Sequence, residues 1–108
     1  MKIDIPHPDE IDSVGTQIVI HSWDTWSMDH TLSYIIVPML EQLKATKNGY
    51  PSDLTEERWD EILDEMIWAF TYKRDKFDTI LDKDHETAQT RMSNGFKLFG
   101  EYYENLWD

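Results

Sequence analysis

The sequence predicts a mainly α fold of the α+β class, with a three-helix core and a small N-terminal two-stranded β element. Three long segments repeat apolar residues at helical spacing, and a short N-terminal segment alternates apolar and polar residues instead. Turn-forming Asn, Gly and Pro residues separate the first two helical segments. With 108 residues and no cysteine, the chain fits a single domain, residues 1–108, whose core needs no disulfide.

Residues 1–23 are predicted to form an arm of strand and loop. The segments KIDI and TQIVIHSW alternate in the way that strands do, and IPHPDEIDSVG between them carries two Pro and several turn formers. The two strands can pair as an antiparallel ribbon. Because an isolated two-stranded ribbon is only marginally stable in water, we expect it to lie on the helices or to join another subunit's sheet.

The first helix is predicted over residues 27–45, from the apolar stripe Leu32, Ile35, Ile36, Met39, Leu40 and Leu43. Pro38 lacks an N–H group and clashes with the preceding turn, so we expect a kink or break near residues 33–37. Ser27 or Asp24 is predicted to cap the N-terminus, with Trp23 and Trp26 covering the end of the core. A left-handed cap at Asn48-Gly49 ends the helix.

The second and third helices are predicted over residues 54–82 and 85–106. In the second helix the stripe runs through Trp59, Ile62, Leu63, Met66, Ile67 and Phe70, with Phe77, Ile80 and Leu81 as an extension. Asp53 and Glu56 have the spacing of a capping box at its start. In the third helix, Gly95 and Gly100 are expected to allow a neighbouring element to approach closely.

The net charge of −12 is the strongest global property of the chain. Direct binding to nucleic acid is disfavoured, because an acidic surface repels phosphate. Such a surface instead suits a basic protein partner or imitates the charge of nucleic acid, although solubility alone explains it as well. No segment has the apolar length of a signal peptide or a membrane span, so we expect a soluble protein that acts away from membranes.

The stretch HSWDTWSMDH contains four side chains that bind metals in other proteins: His21, Asp24, Asp29 and His30. Their spacing matches no established zinc pattern. A turn that caps the first helix explains the same residues, because Asp29 in the first turn is stabilised by the helix dipole. We favour this structural interpretation and predict no metal site and no cofactor.

Carboxylates follow one another at helical spacing in WDEILDEMIW. Glu57 with Asp60, and Glu61 with Asp64, imitate half of the magnesium-binding motif of all-helical nucleotide pyrophosphatases of the MazG type. The other half is missing, since the first helix offers only Glu41. A solvated acidic face is therefore the favoured interpretation. Glu65 lies beside the apolar stripe, where it would need a cationic partner such as Lys44 or Arg91.

Aromatic and basic residues form a third candidate site. If the cations near the helix ends converge with the tryptophans, they can stack a base and pair with a phosphate. The predicted ligand-binding residues are Trp23, Trp26, Lys44, Lys47, Glu65 and Arg91. Tyr72, Lys73, Arg74 and Lys76 follow the second helix. The helix dipole already explains Lys at a helix C-terminus, so this site depends on a convergence that the sequence does not specify.

Three blocks of the chain together resemble small uncharacterised proteins of tailed bacteriophages. The blocks are DTWSMDHTLSYIIVPMLEQLKATKNGYP, WDEILDEMIWAF and RMSNGFKLFGEYYENLWD. The resemblance implies a viral protein that acts in the cytoplasm of the infected host. It assigns no activity, so no functional residue is carried over from it.

Three functions are consistent with these patterns. The first is a non-enzymatic phage accessory protein that sequesters a nucleotide immune signal, between the subunits of an oligomer. The second is an acidic inhibitor that binds a basic host protein, as a nucleic-acid mimic. The third is a magnesium-dependent nucleotide pyrophosphohydrolase using Asp60, Glu61, Asp64 and Glu65. The aromatic content predicts apolar surface left over for a partner, and hence a homo-oligomer.

Overall fold

The computed structural model of the protein describes residues 1–4, 17–76 and 85–107. Two strands, β1 (Lys2–Asp4) and β2 (Gln17–Val19), are followed by three helices, α1 (Met28–Thr46), α2 (Glu56–Lys76) and α3 (His85–Glu101). Short 3-10 turns cover Ser22–Thr25 and Tyr103–Asn105. The predicted mainly α fold with a small N-terminal β element is confirmed.

The two strands pair as an antiparallel ribbon in which Ile3 lies opposite Ile18. Ile3 and Ile18 are both exposed. The N-terminal amine lies 3.3 Å from Asp24 Oδ2, and the same carboxylate accepts a hydrogen bond from the His21 backbone N–H at 2.9 Å. Asp24 therefore ties the start of the ribbon to the turn before α1. The predicted loop between the strands, residues 5–15, lies outside the described residues.

Helix α1 continues without interruption through Pro38, so the predicted break is not formed. Pro38 has no N–H group to donate to the carbonyl of Tyr34, four residues earlier in the helix. Both Pro38 and Tyr34 are exposed. Ser27 is the N-cap residue, but its side chain makes no capping hydrogen bond. The Asp29 carboxylate, in the first turn, accepts a hydrogen bond from the backbone N–H of His30 at 2.9 Å. The chain leaves α1 through an extended Lys47 rather than through a left-handed glycine.

Helix α2 lies in the middle of the structure, and its buried face supplies most of the core. The buried residues on this helix are Trp59, Ile62, Leu63, Met66 and Ala69. Its N-terminus is capped by Thr55, whose Oγ1 accepts from the Arg58 N–H at 3.1 Å; the predicted cap at Asp53 is therefore wrong. The predicted extension through Phe77, Ile80 and Leu81 lies outside the described residues.

Helices α1 and α3 pack on α2 and run antiparallel to it. Gly95 of α3 sits so close to α2 that an added Cβ would lie 2.4 Å from the Ala69 Cβ and 2.7 Å from the Glu65 carbonyl oxygen. The expected close approach at Gly95 is thus confirmed. The same prediction is wrong for Gly100, because no atom of a neighbouring element lies within 4 Å of an added Cβ there.

The three helices form one layer. Within the described residues, no Cα atom of α1 lies within 8 Å of a Cα atom of α3, so α2 separates them. The Cα positions extend over 53 × 41 × 19 Å, and the smallest of these dimensions is less than two helix diameters of ~10–12 Å each. Helices usually bury their apolar faces between two layers, so a single layer leaves one side of each helix uncovered.

We expect Gly95→Ala to lower the free energy of unfolding by about 1–3 kcal/mol, because the added methyl group must push α3 away from Ala69. Thermal unfolding followed by circular dichroism measures the effect. Gly100→Ala is the matched control in the same helix. It should leave the stability unchanged or raise it by up to about 1 kcal/mol, since Ala is the better helix former. Equal effects of the two substitutions would contradict the close packing at Gly95.

Candidate functional site: the acidic end of the bundle

Two lysines at the end of α1 are paired with carboxylates of α2. Lys44 Nζ lies 2.7 Å from Asp64 Oδ1, and this hydrogen bond raises the pKa of Lys44. Lys47 Nζ lies 2.6 Å from Asp60 Oδ1, in an ion pair that is not aligned as a hydrogen bond. Lys47 also donates to the Lys44 carbonyl at 3.4 Å. The cations that were candidates for binding a phosphate thus hold α1 to α2.

Arg91 is paired with Glu65 across α2 and α3. Its Nε and Nη2 donate to the two carboxylate oxygens at 3.0 and 2.9 Å, a bidentate arrangement. These hydrogen bonds from Arg91 lower the pKa of Glu65. The guanidinium carbon also lies 4.1 Å from the centroid of the Trp68 ring, which stacks on Tyr72. Of the two partners expected for Glu65, Arg91 is the one that the structure provides.

The cations after the middle of α2 are paired as well. Lys73 Nζ lies 2.7 Å from Asp29 Oδ2 of α1, and Arg74 donates to the neighbouring Asp75 through two nitrogens at 2.9 and 3.1 Å. A phosphate that bound at any of these positions would have to displace a carboxylate that is already in place.

The tryptophans of the predicted aromatic site lie far from its lysines. Trp23 and Trp26 stack on each other at the start of α1, with ring centroids 5.9 Å apart, and are 76% and 79% exposed. They do not cover the core as expected, because the turn that carries them does not fold back over the helices. Lys44 follows Trp26 by roughly 25 Å along the helix axis. The structure therefore does not bring the two groups together, and nucleotide binding there stays a prediction.

The carboxylates and histidines considered as metal ligands have other roles in the structure. Asp24 and Asp29 accept the backbone hydrogen bonds and ion pairs described above, and His30 Nδ1 lies 3.5 Å from the Lys73 carbonyl oxygen. Asp60 and Asp64 are paired with lysines. Among residues 1–4, 17–76 and 85–107, no three His, Asp or Glu side chains are placed to hold a metal ion.

Exposed carboxylates collect where α2 begins and α3 ends. The two helix ends are neighbours, because the Trp59 and Tyr102 rings meet edge to face with centroids 5.6 Å apart. We call this region the acidic end and define it by Asp53, Glu56, Glu57, Glu101 and Glu104, all of them exposed. No ion pair involving these five residues occurs within the described part of the chain. The acidic end therefore carries five exposed carboxylates whose charge no described ion pair compensates.

Part of this charge lies where it opposes the stability of the helix. Glu101 is the last residue of α3, Glu104 follows in the next turn, and the last turn of α3 carries no basic residue. The C-terminal end of a helix has a partial negative charge, so a carboxylate there is unfavourable by a few tenths of a kcal/mol to ~1 kcal/mol. In contrast, Glu56 and Glu57 in the first turn of α2 have the favourable placement.

An aromatic cleft opens beside these carboxylates. It has a volume of about 270 Å³, and its walls include Tyr50, Trp59, Asn105 and Trp107. Tyr50 and Trp107 are more than half exposed, whereas Trp59 is buried and forms the floor. Aromatic ring faces attract cations within ~6 Å, so a cleft of this composition suits an ammonium or guanidinium group.

Sequence reasoning missed this cleft and assigned no role to Tyr50 or Trp107. Both lie in segments without periodicity, and only the antiparallel packing of α3 on α2 places residues 105–107 beside residues 49–52. Their proximity to each other could not be deduced without the register of the helices.

The Glu65–Arg91 pair should make stability depend on pH. Because the folded-state pKa of Glu65 is lowered below its ordinary 4.5, its contribution is present above that value and is lost as the pH falls through the folded pKa. We expect Glu65→Gln and Arg91→Gln to be less stable than the wild type at pH 7. Both should lose less stability than the wild type between pH 5 and pH 3, as measured by thermal unfolding.

Glu41→Gln is the control for this experiment, since Glu41 is exposed and forms no ion pair in the described residues. It should keep the pH dependence of the wild type. If Glu65→Gln also keeps that dependence, the Glu65–Arg91 pair does not contribute to acid sensitivity.

No protein-family model matches this chain, and neither a curated protein nor a solved structure matches it. None of the helices in the described residues has the length and apolar character needed to cross a membrane. The acidic end, together with its aromatic cleft, is the candidate functional site of the protein.

Proposed function

We propose that the protein is a non-enzymatic binding protein whose acidic end binds a basic segment of a partner protein. The observation that carries the proposal is the distribution of ion pairs. The candidate cations are paired within the molecule, whereas the carboxylates of the acidic end are not. A partner with Lys or Arg side chains supplies the missing positive charge.

The aromatic cleft adds a contact that is specific for a cationic side chain. A Lys or Arg of the partner that enters the cleft contacts Tyr50 and Trp107, beside Asn105, which follows Glu104 in the chain. Desolvation against aromatic rings makes such a contact worth about 0.5–2 kcal/mol, which is more than an exposed ion pair contributes. The cleft therefore selects one side chain, and the surrounding carboxylates orient the rest of the segment.

The position of Glu101 and Glu104 supports the same function. Carboxylates at the C-terminus of α3 are unfavourable for the free protein, and no basic residue in the last turn compensates for them. A bound cation removes this disadvantage, so part of the binding free energy comes from relief of an unfavourable interaction in the free state.

The resemblance to small tailed-phage proteins extends the proposal to a biological setting. In that setting the protein acts in the infected bacterium, and its partner is a host protein with a basic surface. A basic surface that normally binds nucleic acid is the simplest target, because nucleic acid and the acidic end are both negatively charged.

The test measures, by fluorescence anisotropy, the binding of a fluorescent 12-residue peptide that contains six Arg. The control is the same peptide with uncharged citrulline in place of the six Arg. We expect the double variant Glu101→Gln/Glu104→Gln to weaken binding of the Arg peptide about tenfold. It removes two exposed ion pairs with the peptide, and each such pair contributes ~0.2–1 kcal/mol. Raising the salt from 50 to 500 mM should weaken it steeply. The citrulline peptide should not bind.

Glu41→Gln/Glu86→Gln is the matched control, because it removes the same two charges from exposed positions away from the acidic end. It should change the affinity less than twofold. Equal losses for the two double variants would mean a general attraction to a protein of net charge −12, and the proposed site would be rejected.

The contribution of the cleft is tested separately with Trp107→Leu. We expect about a threefold weaker affinity for the Arg peptide, because a cation–π contact is lost. Trp23→Leu is the control, since Trp23 is 76% exposed and Trp107 is 74% exposed but only Trp107 lines the cleft. If cyclic nucleotides raise the unfolding temperature and the peptide does not, nucleotide binding is favoured over this proposal.

A further inference from the structure

Helix α1 carries a second apolar stripe, in which Ile36 and Leu43 pack on the edge of the core while Leu32 and Met39 are exposed. The residues that face α2 are Ser33, Val37 and Leu40, and all three are buried. The second stripe consists of Leu32, Ile36, Met39, Leu43 and Thr46. Its spacing alternates between four and three residues, which is the spacing of a helix that packs against another helix along its length. Met39 is 63% exposed and Leu32 is 37% exposed.

This stripe forms one wall of an open groove. The opposite wall comes from α3 and the turn after it, through Phe99, Tyr103 and Leu106, and the groove has a volume of about 890 Å³. The groove exists because α1 and α3 both pack on α2 and do not reach each other. Its dimensions are set by the single-layer arrangement of the helices rather than by a loop.

The groove is lined entirely by uncharged residues. Residues 31–40, TLSYIIVPML, form a run of ten residues without a charge, in a chain in which 30% of residues are charged. A basic partner gains nothing from such a lining. Two copies of this chain, however, each with a net charge of −12, repel each other least when they meet through a surface that carries no charge. The composition of the groove therefore favours a second copy of the chain.

Large apolar side chains along this surface are exposed in the single copy: the exposed fractions of Met28, Leu32, Met39 and Tyr103 range from 37% to 63%. A second copy that covers them buries apolar surface of the kind that is enriched in homodimer interfaces. A second copy placed with two-fold symmetry lays its α1 into the groove and receives the first α1 in its own groove. The α1 and α3 helices of both copies then form a four-helix arrangement, which supplies the second layer that each copy lacks.

We propose that the groove between α1 and α3 is a homodimer interface centred on the outer stripe of α1. This interface shares no residue with the acidic end, although Tyr103 of the groove adjoins Glu104 in the same turn, and each dimer presents two acidic ends. The two proposals also differ in their response to salt. Dimerisation should strengthen as salt screens the repulsion between like-charged copies, whereas binding of a basic segment should weaken.

The experiment is sedimentation velocity and light scattering of the full chain between 1 and 100 µM, at 150 and 500 mM NaCl. The wild type should have twice the mass of the 12.9 kDa chain, with the lower dissociation constant at the higher salt concentration. Met39→Glu should raise the dissociation constant about 100-fold, because it buries an unpaired carboxylate in the interface. Since Met39 is exposed in the single copy, the variant should keep the helical circular dichroism spectrum and unfold cooperatively.

Ala45→Glu is the matched control, because it introduces the same charge into the same helix at an exposed position about 120° around the axis from Met39. It should remain dimeric. A wild type that is monomeric at 100 µM in both salt concentrations would overturn the proposal. So would a dimer that Met39→Glu and Ala45→Glu affect equally. Binding of the Arg peptide by a monomeric wild type would leave the proposed function intact while rejecting this interface.

Discussion

The packing of α2 between α1 and α3 is the constraint on which the rest of the structure depends. The buried face of α2, from Trp59 to Ala69, is the only apolar surface in the described residues that contacts both neighbours, and the close approach at Gly95 fixes the depth at which α3 lies. One helix thus serves two interfaces. As a consequence, α1 and α3 are held on either side of it, and the groove between them stays open.

The same arrangement determines where the charge goes. Antiparallel packing brings Lys44 and Lys47 of α1 beside carboxylates of α2, and Arg91 of α3 beside Glu65. With 10 Lys and Arg against 22 Asp and Glu, pairing across the helix interfaces uses cations that would otherwise offset the exposed carboxylates. The excess negative charge is then left at the positions that face no other helix, and those include the end where α2 begins and α3 finishes.

Much of the fold was predictable because it depends on patterns within single segments. Helical periodicity placed the start of α1 and the start of α3 within one residue of the observed positions, and it identified the stripe from Trp59 to Met66. Local chemistry was less decisive, as the cap at Thr55 and the uninterrupted helix at Pro38 illustrate. The candidate site was not predictable, because it depends on which residues of different helices become neighbours. Glu65 had two plausible partners in the sequence, Lys44 and Arg91, and only the packing of α3 on α2 selects Arg91.

Helix α1 has few charged residues although the chain as a whole is strongly acidic, because the helix carries two apolar stripes. A helix needs one apolar face to pack on α2, and the sequence around Tyr34 and Pro38 supplies far more than one face. Exposed apolar area of this extent is unfavourable for an isolated chain and is typical of a surface that another protein covers. The uncharged groove and the acidic end have opposite requirements, since one excludes charge and the other collects it. Opposite requirements on one small layer of helices agree with the two interfaces proposed above, one for a second copy of the chain and one for a basic partner.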